Sequence, residues 1–230
     1  MTATKQAAPT DTTVPQGGAS RFAGIAFLVV FIAVFVLLVT GPSVYEGSLA
    51  EYGAGYADGG REWPVSIASY FLLPIAAGLL VWAVAHIATG VDRELGRATV
   101  GGRVAMIGAG VMAASLTAAG AATASAELLA SGRVEGFPVD ASTAYGMDLL
   151  SSALLNLGMW GGSAVLIAIG VSARGAGLVP GWLLWAGIVV APLLTIAFMF
   201  GMLPLLAFLL WVAVVGFMVK PVPGSARDVG

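Results

Sequence analysis

Cysteine is absent from this 230-residue sequence, and His86 is its only histidine. Without thiols the chain can form no disulfide, thiolate metal site or iron–sulfur cluster, and a lone histidine excludes paired-histidine haem ligation and histidine-rich metal centres. We therefore expect no cofactor. Charged residues are also scarce, at 10% against about a quarter in soluble domains. The net charge of -2 leaves no basic block of the kind that nucleic acid or anionic lipid would need.

Apolar residues dominate the composition. Of the whole chain, 59% is hydrophobic, and the mean hydropathy is +0.96. Such a composition favours a lipid bilayer as the surrounding solvent. The length suits five to seven spans of about 20 residues and leaves no room for a separate soluble domain. We predict an all-α, polytopic membrane helix bundle, a multi-pass protein of the bacterial plasma membrane.

Six apolar runs predict six transmembrane helices. They run from Phe22 to Thr40, from Trp63 or Pro64 to Thr89, from Val104 to Ala130, from Ala144 to Ser172, from Trp182 to Phe200 and from Leu203 to Val219. The last two share a charge-free stretch, which exceeds twice the roughly 20 residues of one span, so we expect a turn at Gly201 to Pro204. Residues 1–20 read as a disordered tail, 21–220 as the membrane domain and 221–230 as a short cytoplasmic tail.

Basic residues predict the orientation of the helices, because cytoplasmic loops carry the excess of lysine and arginine. If both termini are cytoplasmic, only Arg61 and Arg133 fall on the outer side. The other basic residues then lie inside: Lys5, Arg21, Arg93, Arg97, Arg103, Arg174, Lys220 and Arg227. The acidic residues of the two longer loops gather outside.

Small residues recur every four positions along the third predicted helix, at Gly110, Ala114, Ala118 and Ala122. Gly158 and Gly162 show the same spacing on the fourth helix. Such a stripe lets helix backbones approach closely in lipid, where packing rather than hydrophobic drive holds helices together. It predicts a helix-packing face, either inside the bundle or toward a second copy or a partner subunit.

Three titratable residues fall within or near the predicted spans. Glu127, near the outer end of the third helix, and Asp148, near the outer start of the fourth, are expected at similar depth and form a candidate proton or ion site. Both residues are also compatible with a position at the lipid headgroups, because the rest of each helix is already long enough to span the bilayer. His86, near the inner end of the second helix, is either a proton relay or a histidine bound to a neighbouring carbonyl.

The second half of the chain carries a family resemblance. Its run LLNLGMWGGSAVLIAIGVSARGAGLVPGWLLWAGIVVAPLL resembles bacterial six-span membrane proteins of the domain-of-unknown-function type. These share a glycine-rich fourth helix, a short Arg-Gly turn with Leu-Val-Pro-Gly-Trp, and a leucine-rich hairpin. The resemblance implies the six-span fold and brings no catalytic residue with it.

Two functional hypotheses follow from these patterns. The first is a structural or accessory membrane subunit that acts through helix contacts, favoured by the small-residue stripe. The second is a small transporter or proton-coupled permease, favoured by Glu127 and Asp148 and by two prolines, Pro74 and Pro192, at matching places of two inverted halves. We do not expect an enzyme, since the sequence has no HExxH motif, Cys-His pair or GxSxG elbow.

Overall fold

The computed structural model describes residues 18–39, 48–52, 62–131, 140–196 and 203–220, and every regular element within these ranges is helical. The all-α prediction is therefore confirmed for this part of the chain. The predicted tail 221–230 and residues 1–17 lie outside the described ranges. Residues 18–20 do not continue a tail, because a short 3-10 helix, Gly18–Phe22, leads directly into the first α-helix.

Six helical stretches occupy the predicted positions. They are α1 (Ala23–Val39), α2 (Glu62–Ser66, a π-helical segment Ile67–Leu72, then Leu73–Glu94), α3 (Val100–Ser131), α4 (Ala141–Ser172), α5 (Gly181–Thr195) and α6 (Leu203–Met218). The first four are long and apolar enough to cross a membrane, whereas α5 and α6 are shorter apolar helices.

Caps extend α3 and α4 beyond their apolar runs. Asp140 precedes α4 and accepts hydrogen bonds from the backbone N–H groups of Ser142 and Thr143, at 3.0 and 3.2 Å. The Thr143 and Ser142 hydroxyls add bonds that hold the pKa of this carboxyl at about 2, below its usual range. Thr99 similarly accepts from the N–H of Gly102 and starts α3 at Val100. Both helices therefore begin three or four residues earlier than hydropathy predicts.

The two interior prolines stand at similar distances from the starts of their helices, Pro74 as residue 13 of α2 and Pro192 as residue 12 of α5. Pro74 is the second residue of the regular part of α2, directly after the π-helical segment. Pro192 lies three residues before the end of α5 at Thr195. α5 is described to Thr195, and residues 197–200 of the predicted span lie outside the described residues. The local backbone at the two prolines differs, since only Pro74 follows a π-helical segment. Pro204 belongs to the first turn of α6, where proline is tolerated, and not to a turn between helices.

The helices form a closed ring in which each one packs against its neighbours in sequence and α6 returns to α1. Alternate helices run in opposite directions. A continuous core of fully buried side chains from all six fills the centre, and its largest members include Phe27, Leu80, Met112, Leu166 and Phe208.

Charge divides the bundle into two ends. All basic residues of the described ranges lie at one end, which we call the basic end: Arg21, Arg93, Arg97, Arg103, Arg174 and Lys220. Contacts join these positions, since the Arg93 guanidinium donates to the Lys220 carbonyl at 3.1 Å and the Arg21 guanidinium lies 5.6 Å from the Phe217 ring. The opposite, acidic end carries Glu51, Glu62, Glu127, Asp140 and Asp148.

The most extensive helix contact is that of α3 with α4, and it depends on glycine. A Cβ atom on Gly161 would lie 2.5 Å from the Gly108 carbonyl oxygen, and one on Gly108 would lie 2.6 Å from the Gly161 oxygen. A Cβ on Gly158 would lie 3.1 Å from the Ser115 Cβ. The two backbones touch directly, so neither glycine of the first pair can accept a methyl group without moving a helix.

We expect Gly161→Ala to destabilise the protein by about 1–3 kcal/mol, the usual cost of overpacking. Gly110→Ala is the matched control, because nothing lies within 4 Å of its added Cβ and alanine favours a helix over glycine by about 1 kcal/mol. Thermal unfolding in detergent, followed by circular dichroism, measures both. Equal melting temperatures for the two variants would contradict the backbone contact.

Candidate acidic site

Glu127 on α3 and Asp148 on α4 are both buried within the described structure, with exposed fractions of 4% and 7%. Burial of a carboxyl group costs free energy unless polar partners form hydrogen bonds with it. The alternative prediction, a position of both acids at the headgroup level, concerns their depth in a membrane and stays a prediction. The structure covers both side chains with protein at the acidic end.

The register of α3 against α4 places the two acids at the same level. One turn deeper in the bundle, the hydroxyl oxygens of Thr123 and Ser151 lie 2.8 Å apart across the helix interface. Glu127 follows Thr123 by four residues and Asp148 precedes Ser151 by three. Because the helices are antiparallel and rise about 1.5 Å per residue, both steps lead outward by one turn. The sequence-based expectation of similar depth fits this register.

A third residue, Tyr52, completes the site from a different part of the chain. Its hydroxyl donates to the Asp148 Oδ2 atom at 2.5 Å, across 96 positions of sequence. The ring is 5% exposed and meets the Tyr145 ring edge to face, with centroids 5.6 Å apart. Tyr52, Ala126 and Ala144 form the centre of a small apolar cluster that is separate from the main core. Two aromatic side chains, Tyr52 and Tyr145, therefore pack together next to Asp148.

The backbone around Tyr52 is set by a capping box, which the sequence reasoning missed. The Ser48 N–H donates to the Glu51 carboxylate at 2.8 Å, and the Glu51 N–H donates to the Ser48 hydroxyl oxygen at 3.3 Å. This reciprocal pair starts a helical turn at residues 49–52. The pattern Ser-x-x-Glu was readable in the sequence, whereas the docking of Tyr52 on Asp148 had no local signal.

Each of the two carboxyl groups can bind a proton or contribute to the binding of a small cation at this level of the bundle. Carboxyl groups supply hard oxygen ligands and can also exchange a proton. Among the described residues no group of three or more histidine, cysteine or acidic side chains comes together, so a transition-metal centre has no ligand set there. The tyrosine hydroxyl positions the Asp148 carboxyl by a hydrogen bond that is strong when the acceptor is charged.

His86 does not belong to this site. Its Nε2 atom lies 3.1 Å from the Val219 carbonyl oxygen at the basic end, and its ring is buried. Measured along the antiparallel pair α2 and α3, His86 and Glu127 are separated by roughly 28 Å of helix rise. The structure therefore divides the three predicted ion-site residues, and His86 satisfies one of the free carbonyls at the end of α6.

The predicted helix-packing face is also divided. Gly158 packs on Ser115, and a Cβ on Gly162 would lie 2.9 Å from Leu194 Cδ2, so both lie inside the bundle. Ala122 is buried, but Gly110, Ala114 and Ala118 are exposed. A spacing of four advances about 40° beyond one full turn at each step, so the stripe winds around α3 and leaves the interface.

The exposed part of the stripe lines an open groove between α2 and α3, with a volume of about 680 Å³. Its walls are formed by Ala77, Gly78, Val81, Ala113, Ala114, Thr117, Ala118 and Ala121. Gly110 lies one turn farther along the same face. Gly110, Ala114 and Ala118 therefore do not pack inside the bundle, which was the simpler of the two predictions.

Comparison with known proteins adds no functional assignment. No protein-family model matches the chain, and neither a curated protein nor a solved structure shows significant similarity to it.

We expect Tyr52→Phe to destabilise the acidic end by about 1–3 kcal/mol, because the variant removes a hydrogen bond to a buried carboxyl and adds nothing in its place. Tyr145→Phe is the matched control, since it removes a hydroxyl from the neighbouring ring without touching the bond to Asp148. Thermal unfolding in detergent measures both variants. A Tyr145→Phe variant as unstable as Tyr52→Phe would show that the bond to Asp148 carries no particular weight.

Proposed function

We propose that this chain is an integral protein of the bacterial plasma membrane, with six crossing helices and both termini in the cytoplasm. The segregation of charge supports the orientation, because every basic residue of the described ranges lies at the end where α1 begins and α6 ends. Such an end faces the cytoplasm under the positive-inside rule. The resemblance of the second half to six-span bacterial families points the same way.

The two short helices are compatible with six crossings. α5 and α6 have 15 and 16 residues, whereas a span needs about 20. Residues 197–202 are all apolar or glycine, so the sequence carries no charge between the two helices. Both helices also expose large apolar side chains, among them Trp182, Val189 and Leu210, as a lipid-facing surface requires.

Within that membrane, we propose that the protein acts as a structural or accessory subunit that binds another transmembrane helix. The observation that carries this proposal is the exposed face of Gly78, Gly110, Ala114 and Ala118 beside the groove between α2 and α3. Small residues let a second backbone approach closely enough to gain dispersion and weak polar contacts. A second copy of the chain or a partner subunit supplies that helix.

We expect Ala118→Leu to break this assembly, because the added side chain fills the groove. Ala33→Leu is the matched control, since Ala33 is equally exposed but lies on α1. Native mass spectrometry and detergent pull-down of the tagged protein from its own membranes measure the assembly. A wild-type chain that is monomeric and recovers no partner contradicts the proposal, and so does an Ala33→Leu variant that loses assembly to the same extent.

A second candidate function is proton-coupled or cation-coupled transport through the acidic site. The observation that favours it is the burial of Glu127 and Asp148 at one level of the bundle, where the Tyr52 hydroxyl also donates a hydrogen bond to Asp148. Acidic residues inside membrane bundles commonly mark ion or proton pathways. The paired prolines add little to this argument, because proline is common in membrane helices and no charged residue stands near Pro74 or Pro192. We therefore rank transport second.

If the second function holds, Glu127→Gln and Asp148→Asn should each abolish proton flux in proteoliposomes under an imposed pH gradient, because an amide cannot exchange a proton. Glu94→Gln is the control, since Glu94 is exposed at the basic end. A pH-sensitive dye inside the vesicles records the flux. Equal flux in all three variants, or no flux with the unaltered chain, rules out this site as a proton pathway.

A further inference from the structure

A second groove lies at the basic end, where no function has been assigned. It has a volume of about 900 Å³ and runs between the connection of α2 to α3, the start of α3 and the end of α4. Its lining is Leu95, Arg97, Ala98, Thr99, Val100, Gly101, Val104, Ala164, Ile167, Ala168, Val171, Ser172 and Gly175. From Ser172 at the rim to Ala164 it extends about 12 Å along α4.

The groove has a polar rim and an apolar floor. Arg97, the only charged residue in its lining, is exposed at the rim, with Thr99 and Ser172 beside it. Deeper positions are aliphatic, and Val104, Ile167 and Val171 expose 40%, 48% and 64% of their surface. This gradient from a cation to a hydrocarbon surface matches an amphiphile that enters with its anionic group at the rim.

Neighbouring charges leave Arg97 available for such a ligand. Among the described residues the one salt bridge joins Arg93 to Glu94, and Arg97 has no carboxylate partner. The Asp92 carboxylate instead accepts from the N–H and hydroxyl of Thr99, at 2.9 and 2.7 Å, and thereby caps α3. The start of that helix is consequently not an anion site, and the Arg97 guanidinium is the donor that remains.

Charges of both signs lie near the rim, because the Asp92 carboxylate is bonded to Thr99 and two further arginines, Arg103 and Arg174, adjoin lining residues in sequence. On α3, Arg103 is exposed one turn from the groove. On the α4 side, the Arg174 guanidinium lies over the Trp185 ring at 5.3 Å. Composition predicts no basic block for anionic lipid, and the groove departs from that expectation only through Arg97, the one charged side chain in its lining. Basic pockets between helices at a membrane surface recognise anionic lipid headgroups.

We propose that this groove is a binding site for one anionic glycerophospholipid. The phosphate accepts hydrogen bonds from the Arg97 guanidinium, whose planar fork fits two phosphate oxygens at once. One acyl chain lies along Val104, Ile167 and Val171. The site depends on its position at a membrane surface and is independent of which side of the membrane the basic end faces.

Native mass spectrometry of the delipidated full chain tests the headgroup contact, with phosphatidylglycerol and phosphatidylcholine of identical acyl chains as probes. We expect tighter binding of phosphatidylglycerol, and a loss of about tenfold in Arg97→Gln, as the removal of one charge-assisted contact implies. Arg103→Gln removes the same charge next to the groove and should change binding by less than about twofold. Equal losses in both variants would indicate diffuse attraction and overturn the site.

Ile167→Trp tests the acyl-chain contact, because an indole at this exposed position fills the groove and leaves Arg97 in place. The control is Val189→Trp, an exposed position on α5. We expect only Ile167→Trp to weaken phosphatidylglycerol binding, with the melting temperature of both variants close to that of the unaltered chain. Unchanged binding in Ile167→Trp would overturn the proposal, since the lipid would then be held by its headgroup alone.

Discussion

The contact of α3 with α4 is the constraint on which the acidic site depends, because there backbone meets backbone. Gly108 and Gly161 leave no side chain that could move aside, so the helix pair has a single register. That register aligns Thr123 with Ser151 and thereby sets Glu127 level with Asp148. Since Glu127 is 19 residues from Gly108, the glycine contact fixes the level of the site from roughly 28 Å away.

The spacing of small residues explains why sequence analysis predicted a packing face and located only part of it. Residues four apart turn about 400°, so a stripe of this kind drifts around the helix, whereas residues seven apart turn about 700° and stay near one side. The contact face of α3 follows the spacing of seven, through Gly101, Gly108, Ser115 and Ala122. The stripe of four starts outside the bundle and enters it only at Ala122.

Hydropathy predicted the number and order of the helical stretches, because a helix that must avoid water carries its signal in every residue. Helix ends were harder to predict, since they depend on single polar groups: Asp140 and Thr99 start their helices upstream of the apolar runs. The sequence also does not predict the local backbone at the interior prolines. Pro74 and Pro192 look equivalent in sequence, yet one follows a π-helical segment and the other nearly ends its helix.

The sequence predicted the two acids of the site but not the contacts that surround them. Glu127 and Asp148 lie on consecutive helices, so topology alone suggests that they are near each other. Tyr52 comes from a short turn 96 positions before Asp148, and no periodic pattern links the two. Its apolar contacts form a cluster separate from the main core. Since this cluster shares no residue with the main core, the position of Tyr52 depends on its own apolar contacts and on its hydrogen bond to Asp148, and no sequence pattern reveals either of them.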